Sequence, residues 1–147
     1  TGFDFSVILD FAHTPDGVIN LLTSVREFAK GRVVTVFGCG GDRDKAKRPI
    51  MGEIGTALAD IAVITSDNPR SEDPGKIREQ IREGVEASGG TYQVIPGRRE
   101  AIARCIAEAR QGDLIVLAGK GHETTQEIRG VFYPMDEREI LREILEK

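Results

Sequence analysis

The sequence contains no tryptophan, two histidines and only two cysteines in 147 residues. Cys39 and Cys105 lie far apart and lack the spacing of metal ligands. Two cysteines do not make a disulfide framework in a chain of this size. This shortage excludes a disulfide-stapled scaffold and favours a reducing compartment.

The sequence also lacks a long apolar run and a strong charge of either sign. No stretch is long enough to span a bilayer, and no charged-then-apolar leader precedes the first predicted strand. The net charge of -4 gives no sign of a nucleic-acid-binding surface. With 39% hydrophobic and 30% charged residues, we expect a single globular domain over residues 1–147, binding neither membrane nor nucleic acid.

Apolar strand patterns alternate with amphipathic helix patterns five times along the chain. The strands are predicted at 5–10, 33–37, 61–65, 92–95 and 113–118. Thr14-Pro15 and Asp73-Pro74 are typical helix starts, and Arg129-Gly130 between two short strand patterns indicates a hairpin. The alternation predicts an α/β domain of three layers, with a mostly parallel sheet, helices on both faces and an antiparallel edge hairpin.

The second helix pattern shows how the core is expected to form. Pro49 is predicted to open this helix. The residues at helical spacing, expected to face the core, are Ile50, Met51, Ile54, Ala57 and Leu58.

Polar segments follow the carboxyl ends of four predicted strands, at 10–16, 38–48, 66–73 and 119–123. In a parallel sheet these ends lie along one rim, and ligands of such folds bind beyond them. We therefore expect the four segments to form one site.

The segment Ser66-Asp67-Asn68-Pro69-Arg70 combines an anion, an amide, a rigid turn residue and a guanidinium. Arg70 suits a carboxylate and Asp67 suits an ammonium, so the loop fits a ligand that carries both groups. Pro69 restricts the backbone, while Asn68 both donates and accepts hydrogen bonds. The alternative is an ordinary surface turn, because these residue types are common in turns.

The glycine-rich segment 38–44 fails the known nucleotide-binding patterns. Gly38 and Gly40 fit the first and third positions of a dinucleotide fingerprint, but Arg43 stands at the sixth. Neither this segment nor Gly119-Lys120-Gly121-His122 matches a triphosphate-binding loop. The glycines either present backbone N–H groups to an anion or only permit tight turns.

Charged residues allow two further interpretations. Lys45, Lys47 and Arg48 either meet a phosphate or carboxylate or form a solvated helix start. A metal-dependent phosphoesterase is the other interpretation, and it rests on Asp10, His13, Asp42, Asp44, His122 and Glu123. The spacing of these residues matches that class poorly, and two histidines are too few for a two-metal site.

Four motifs in this order resemble the C-terminal domain of the Mur ligase family. They are Asp10-Phe11-Ala12-His13-Thr14-Pro15-Asp16, Phe37-Gly38-Cys39-Gly40-Gly41-Asp42-Arg43-Asp44-Lys45, Ser66-Asp67-Asn68-Pro69-Arg70 and Gly119-Lys120-Gly121-His122-Glu123. The resemblance covers almost the whole chain and is strongest to members that add meso-diaminopimelate, although Phe11 stands where the family often has tyrosine. Lysine-adding members and a non-catalytic module that binds a small anion are the alternatives.

The resemblance implies a Rossmann-like fold and a cytoplasmic, three-domain enzyme of peptidoglycan synthesis, whose N-terminal and central ATPase domains are absent from this chain. ATP would phosphorylate the D-glutamate carboxylate of UDP-N-acetylmuramoyl-L-alanyl-D-glutamate, and an amine of the incoming amino acid would attack the acyl phosphate. ATP and Mg²⁺ are expected mainly on the central domain. This domain is then expected to hold no catalytic residue and no metal ligand, and to be inactive alone.

The resemblance also implies roles for individual residues. Asp67, Asn68, Pro69 and Arg70 match the motif that recognises meso-diaminopimelate, and Arg43, Gly119 and Glu123 match its other contacts. Asp10 and His13 match a motif that faces the nucleotide, whereas Lys120 and His122 match positions without an assigned role. Arg70 and Arg43 would hold the carboxylate that lysine lacks. Asp67 and Glu123 would hold the ammonium beside it.

Overall fold

The computed structural model describes residues 4–41, 45–121 and 123–146, and within these ranges the strands and helices follow the predicted order. The strands are β1 (Ser6–Asp10), β2 (Val33–Phe37), β3 (Ile61–Ile64), β4 (Tyr92–Val94), β5 (Leu114–Ala118), β6 (Thr125–Ile128) and β7 (Val131–Pro134). The helices are α1 (Pro15–Phe28), α2 (Lys47–Leu58), α3 (Pro74–Ser88), α4 (Arg98–Ala107) and α5 (Glu137–Leu145).

Five strands form a parallel sheet in the order β1-β5-β2-β3-β4. Every residue of β2 and β5 is buried, as expected for apolar strands that are covered on both faces. Because the strands are parallel, the carboxyl ends of β1, β5, β2 and β3 lie at the same rim. The four polar segments of the sequence therefore leave the sheet side by side.

Helices cover both faces of the sheet, which confirms the three-layer prediction. Val33 and Phe37 of β2 pack into one cluster with residues of α1, α2 and α3. Val34 and Val36 pack into a second cluster with residues of α4 and α5. The two clusters arise because successive side chains of a strand point to opposite faces. None of the described helices has the length and apolarity that crossing a membrane requires.

The hairpin forms as predicted, but it lies elsewhere than at the edge of the main sheet. β6 and β7 pair antiparallel and make a separate two-stranded sheet. An isolated bridge between Arg70 and Ile128 attaches β6 to the loop that follows β3. The hairpin is thus part of the polar rim.

The inward face of α2 differs from the prediction. The helix begins at Lys47, two residues before Pro49. Proline is tolerated at that position because the N–H groups in the first turn of a helix have no helical partners. Ile50 is 46% exposed, whereas Gly52 is buried. A Cβ on Gly84 of α3 would lie 1.7 Å from the carbonyl oxygen of Pro49. Glycines let α2 and α3 approach closely, and hydrophobic periodicity does not detect such a contact.

Two predicted helix starts are confirmed. Thr14 caps α1, its Oγ1 accepting a hydrogen bond from the Gly17 N–H at 3.1 Å. Asp73 caps α3 through Oδ1 and the Gly75 N–H at 2.8 Å. These caps satisfy backbone donors that would otherwise lack partners, and they define where the loops after β1 and β3 end.

Candidate functional site

The loops after β1, β2, β3 and β5 enclose a cleft of about 460 Å³. The predicted site residues that line it are His13, Asp67, Asn68, Arg70, Gly119 and Glu123. The other lining residues also come from the polar segments and are Phe11, Thr14, Gly38, Cys39, Gly40 and Lys47. Asp10 and Pro69 are not among its lining residues, and Arg43 lies outside the described residues. A second cleft of about 500 Å³ lies at the opposite rim, beside Lys30 and Gln111, and is lined by none of the predicted residues.

Asp67 lines this cleft, and one of its carboxylate oxygens is unsatisfied. The residue is only 8% exposed, and Oδ1 has no hydrogen-bond partner in the part of the chain that is described. Burying a charged oxygen without a partner costs free energy, so such an atom in a cleft calls for an explanation. A ligand that brings a cation or a hydrogen-bond donor to Asp67 would supply the missing partner.

Arg70 lines the same cleft and is held in a defined orientation. Its Nη1 donates to the carbonyl oxygen of Gly41 at 3.0 Å, and its Nε lies 3.4 Å from Oε1 of Glu127. The backbone of Arg70 has a φ of 52°, a left-handed conformation that is uncommon for a residue other than glycine. The surrounding contacts therefore hold the guanidinium beside the cleft at some cost in backbone strain.

The hairpin supplies the contacts that hold the 66–70 loop. The Arg70 N–H donates to the carbonyl of Glu127 at 3.0 Å, and the Glu127 N–H donates to Oδ1 of Asn68 at 2.9 Å. The amide of Gln126 donates to the carbonyl oxygen of Asp67 at 2.6 Å. Sequence reasoning missed Gln126 and Glu127. One sequence feature could have indicated the role of Gln126. In a strand, alternate residues share a face, so the polar Gln126 lies on the same face as the apolar Ile128.

Arg48 is completely buried beneath the rim, which decides between the two interpretations of the basic run for this residue. Its Nη1 and Nη2 donate to the two carboxylate oxygens of Glu72 at 2.8 and 3.0 Å. Nη1 also donates to Gln80 and Nη2 to the carbonyl oxygen of Gly40. Arg48 thus binds a carboxylate of its own chain and joins the glycine-rich segment to the start of α3.

Lys120 is also completely buried, although no pattern in the sequence assigned it a role. Its Nζ donates to the carbonyl oxygen of Thr125 and lies 3.8 Å from Oε1 of Glu123. Burial lowers the pKa of Lys120, against the opposing effect of the nearby Asp67 carboxylate. The ammonium therefore connects the loop after β5 to the hairpin. The other unassigned residue, His122, lies outside the described residues.

The segment after β1 is organised by its own backbone. Oδ1 of Asp10 accepts from the Ala12 N–H at 2.8 Å, and Nδ1–H of His13 donates to the carbonyl oxygen of Phe11 at 2.9 Å. The rings of Phe11 and His13 meet edge to face with their centroids 5.0 Å apart. Phe11 is 44% exposed, so an aromatic ring stands at the mouth of the cleft beside His13.

The glycines of the loop after β2 permit close backbone approach. A Cβ on Gly38 would lie 2.3 Å from the carbonyl oxygen of Thr65, and a Cβ on Gly41 would lie 1.8 Å from that of Pro69. The Gly41 N–H donates to the carbonyl oxygen of Asn68 at 2.7 Å. These glycines therefore bring two loops together, and the Gly41 N–H is used within the chain.

The metal-site interpretation gains no support from the structure. Asp42, Asp44 and His122 lie outside the described ranges. Across those ranges, no group of three or more His, Cys, Asp or Glu side chains has an arrangement that could hold a metal ion.

Comparison with known proteins identifies relatives of this chain. The family described as "Mur ligase, glutamate ligase domain" matches residues 2–121. The chain is 53% identical over 145 residues to the UDP-N-acetylmuramoyl-L-alanyl-D-glutamate–2,6-diaminopimelate ligase of Caldanaerobacter subterraneus, covering 99% of this chain and 30% of that protein. It is 52% identical over 141 residues to the ligase of the same name from Geobacillus thermodenitrificans, covering 96% and 29%. The chain thus spans about 30% of the length of these relatives.

Solved structures of related proteins are similar to this chain as well. A structure titled as a UDP-N-acetylmuramoyl-L-alanyl-D-glutamate–2,6-diaminopimelate ligase is 40% identical and superposes with a TM-score of 0.93, over 99% of this chain and 30% of that one. A domain from a Haemophilus ducreyi protein, titled as a putative ligase, is 15% identical with a TM-score of 0.61, over 97% of this chain and 89% of that one. At that identity the second likeness concerns the fold alone.

Proposed function

Since this chain belongs to the Mur ligase family, we propose that it is the C-terminal, amino-acid-binding domain of a ligase that adds meso-diaminopimelate to UDP-N-acetylmuramoyl-L-alanyl-D-glutamate. The relatives at 53% and 52% identity carry the name of that reaction. The coverage of about 30% of their length fits one domain of a larger enzyme, whose N-terminal and central ATPase domains would be separate from it.

The observation that carries the proposal is that an anionic and a cationic side chain line the same cleft. Asp67 has a buried carboxylate oxygen without a partner among the described residues, and Arg70 presents a guanidinium at the same cleft. Meso-diaminopimelate is lysine with a second carboxylate on the carbon that bears the distal amine. Its distal end therefore needs both a cation and an anion, and Arg70 and Asp67 supply them.

The other residues of the proposal have supporting roles. Asn68 and Gly119 line the cleft, and Glu123 adds a second carboxylate for the ammonium. Pro69 would act through the shape of the loop. Arg43, as a second cation for the carboxylate, stays a prediction from the family resemblance.

In the proposed reaction, ATP activates the D-glutamate carboxylate as an acyl phosphate, and an amine of meso-diaminopimelate displaces phosphate to form the amide. The described residues of this chain offer neither a triphosphate-binding pattern nor a group of metal ligands. As the family resemblance implies, ATP and Mg²⁺ would be held mainly by the central domain, in the cytoplasm, with Asp10 and His13 facing the nucleotide. This chain contributes the binding and orientation of the incoming amino acid.

A lysine-adding ligase is the alternative within the family. In such an enzyme the distal end of the substrate carries only an ammonium. Arg70 beside Asp67 would then have no ligand group to meet. The position of Arg70 at the cleft therefore favours meso-diaminopimelate.

The test is an NMR titration of this chain with meso-diaminopimelate and then with L-lysine, following backbone amide shifts. We expect shifts at Asp67, Asn68, Arg70 and residues 119–123 with meso-diaminopimelate and much smaller ones with L-lysine. Equal shifts with both would support the lysine-adding alternative. If neither ligand shifts any amide, the same comparison is made as kcat/KM in the full-length ligase, where equal values for both amino acids would refute the proposal.

A further inference from the structure

A fully buried ion pair lies beneath the cleft and belongs to none of the motifs. Arg98 is the first residue of α4, and its Nε donates to Oε2 of Glu137, the first residue of α5, at 2.7 Å. Both side chains are completely excluded from solvent. Sequence reasoning missed Arg98, because an arginine at the start of a helix is ordinarily solvated.

The other donors of Arg98 reach two loops of the cleft. Nη2 donates to the carbonyl oxygen of Ala118 at 2.9 Å, and Nη1 makes a longer contact of 3.4 Å to that of Ser66. Ala118 is the last residue of β5 and directly precedes Gly119. Ser66 directly precedes Asp67. Thus one guanidinium contacts the chain immediately before each of two residues that line the cleft.

The sheet order makes this contact unusual. β5 and β3 are not neighbours, because β2 lies between them. Their carboxyl ends therefore share no backbone hydrogen bonds, and the Arg98 guanidinium spans the gap from one to the other. The buried Glu137 carboxylate holds that guanidinium in place.

We propose that Arg98 is a positioning residue for the amino-acid site. It sets the separation between the loop that carries Asp67 and the loop that carries Gly119 and Glu123, and Glu137 fixes its orientation. This inference rests on the proposed function, since it concerns the geometry of the same cleft.

A contribution to stability does not by itself explain why the Arg98–Glu137 ion pair is buried. Replacing a buried ion pair by apolar residues of similar volume is often neutral or stabilising. Here the pair also leaves Oε1 of Glu137 buried and without a partner among the described residues. A pair that is costly to bury and incompletely satisfied fits a role in holding the Ser66 and Ala118 carbonyls at a set distance.

The experiment uses the full-length ligase that contains this chain. It distinguishes an effect of Arg98 on the geometry of the amino-acid site from an effect on the stability of the fold. The double variant Arg98→Met/Glu137→Leu leaves no buried charge at this place, so its melting temperature should fall only slightly, through the loss of the donors to the Ala118 and Ser66 carbonyls. Its KM for the amino acid should rise about tenfold to a hundredfold, as expected when binding groups are displaced by up to about 1 Å. Its KM for ATP should not change.

Glu137→Gln is the conservative variant. The amide oxygen that this substitution introduces still accepts from Nε of Arg98, so the guanidinium stays between the two carbonyls. The variant should lower the melting temperature, because a buried cation loses its counter-charge, while the KM for the amino acid stays at the wild-type value. The double variant should therefore raise KM with little change in the melting temperature, whereas Glu137→Gln should lower the melting temperature without changing KM.

The opposite rim offers a matched control. Arg32 donates to Asp113 at 2.6 Å and to the carbonyl oxygen of Glu108 at 3.3 Å, also between secondary-structure elements but away from the cleft. Arg32→Met should lower the melting temperature and leave the KM for the amino acid unchanged. An equal rise of KM in Arg32→Met and in the Arg98 variant would overturn the proposal.

An unchanged KM in a folded double variant would also overturn it. If the double variant does not fold, Arg98→Lys replaces it. Its ammonium can pair with Glu137 but cannot reach both carbonyls, so KM should still rise, and an unchanged KM is again decisive against Arg98. A wild-type ligase without preference for meso-diaminopimelate would refute the proposed function only, since the KM comparison is then made with the amino acid that the enzyme uses.

Discussion

Asp67 packs against the loop after β5 at a position where a side chain would obstruct its carboxylate. A Cβ on Gly119 would lie 3.1 Å from Oδ2 of Asp67, and Gly119 has a φ of 111°, which L side chains rarely adopt. The two residues come from different strand ends and lie in contact at the cleft. The absence of a side chain at Gly119 is therefore what leaves room for the Asp67 carboxylate.

Gly119→Ala should reduce both stability and ligand binding. The positive φ should cost roughly 1–3 kcal/mol of the free energy of unfolding, and the new methyl group should displace the Asp67 carboxylate. We expect a lower melting temperature and a higher KM for meso-diaminopimelate in the full-length ligase. Gly130→Ala is the control, because Gly130 has a φ of 79° and nothing within 4 Å of an added Cβ. It should lose stability while KM stays constant; a KM effect of equal size there would contradict the role of Asp67.

Arg70→Ala should erode the preference for meso-diaminopimelate over L-lysine. An unmet charge in a complex costs roughly 2–5 kcal/mol, so the ratio of the two kcat/KM values should fall by at least about thirtyfold. The ratio is measured by competition between the two amino acids in the full-length ligase. Arg82→Ala removes the same formal charge from the exposed surface of α3, where Arg82 pairs with Glu79 and Glu86, and should leave the ratio unchanged. A preserved preference in Arg70→Ala would mean that another residue selects the substrate.

Asn68→Ala should loosen the hairpin from the 66–70 loop. Oδ1 of Asn68 is the acceptor for the half-buried Glu127 N–H, and leaving this donor unsatisfied should cost at most about 1–3 kcal/mol, the range for a fully buried group. Asn68→Asp keeps an acceptor at the same place and should retain most of that stability. Thermal unfolding compares the variants, and hydrogen exchange at the Glu127 amide reports the bond itself. Equal loss of stability in both variants would show that the hydrogen bond is not the cause.

Both cysteines should be unreactive in the folded protein. Burial raises the pKa of the Cys39 and Cys105 thiols to about 12 from an ordinary value of 9.0, so alkylation by iodoacetamide at pH 8 should require unfolding. Since the folded state holds these protons more tightly, their contribution to stability is complete below pH 9. It should decline by at most about 1.4 kcal/mol per pH unit for each thiol as the pH rises toward 12.

The control is Cys39→Ala/Cys105→Ala. Denaturant unfolding between pH 8 and pH 11 should show a flatter dependence of stability on pH in this variant than in the wild type. Parallel curves for the two proteins, or rapid alkylation of the folded wild type, would contradict the burial of the thiols.

Particular elements show how far sequence reasoning reaches. The strands at 33–37 and 113–118 were predictable because an apolar run of that length is readable locally, and Thr14 and Asp73 were predictable because a cap and its proline lie within two residues of each other. The inward face of α2 was not, because Gly52 and Gly84 carry no hydrophobic signal. The family resemblance proposed Arg70 for the site, but the hairpin that holds Arg70 comes from a segment about 60 residues away, and no local pattern links the two.

By itself, the sequence determined the order of strands and helices, the parallel sheet and the rim at which its polar segments lie. These follow from short-range periodicity and from the rule that parallel strands place their carboxyl ends together. Only the tertiary structure decided that Gln126 holds Asp67, that Arg48 binds Glu72 and that Arg98 spans β2 to contact two loops of the cleft. The reason is physical: a guanidinium or an amide can pair with any suitable acceptor, and which acceptor lies within reach depends on how distant segments pack.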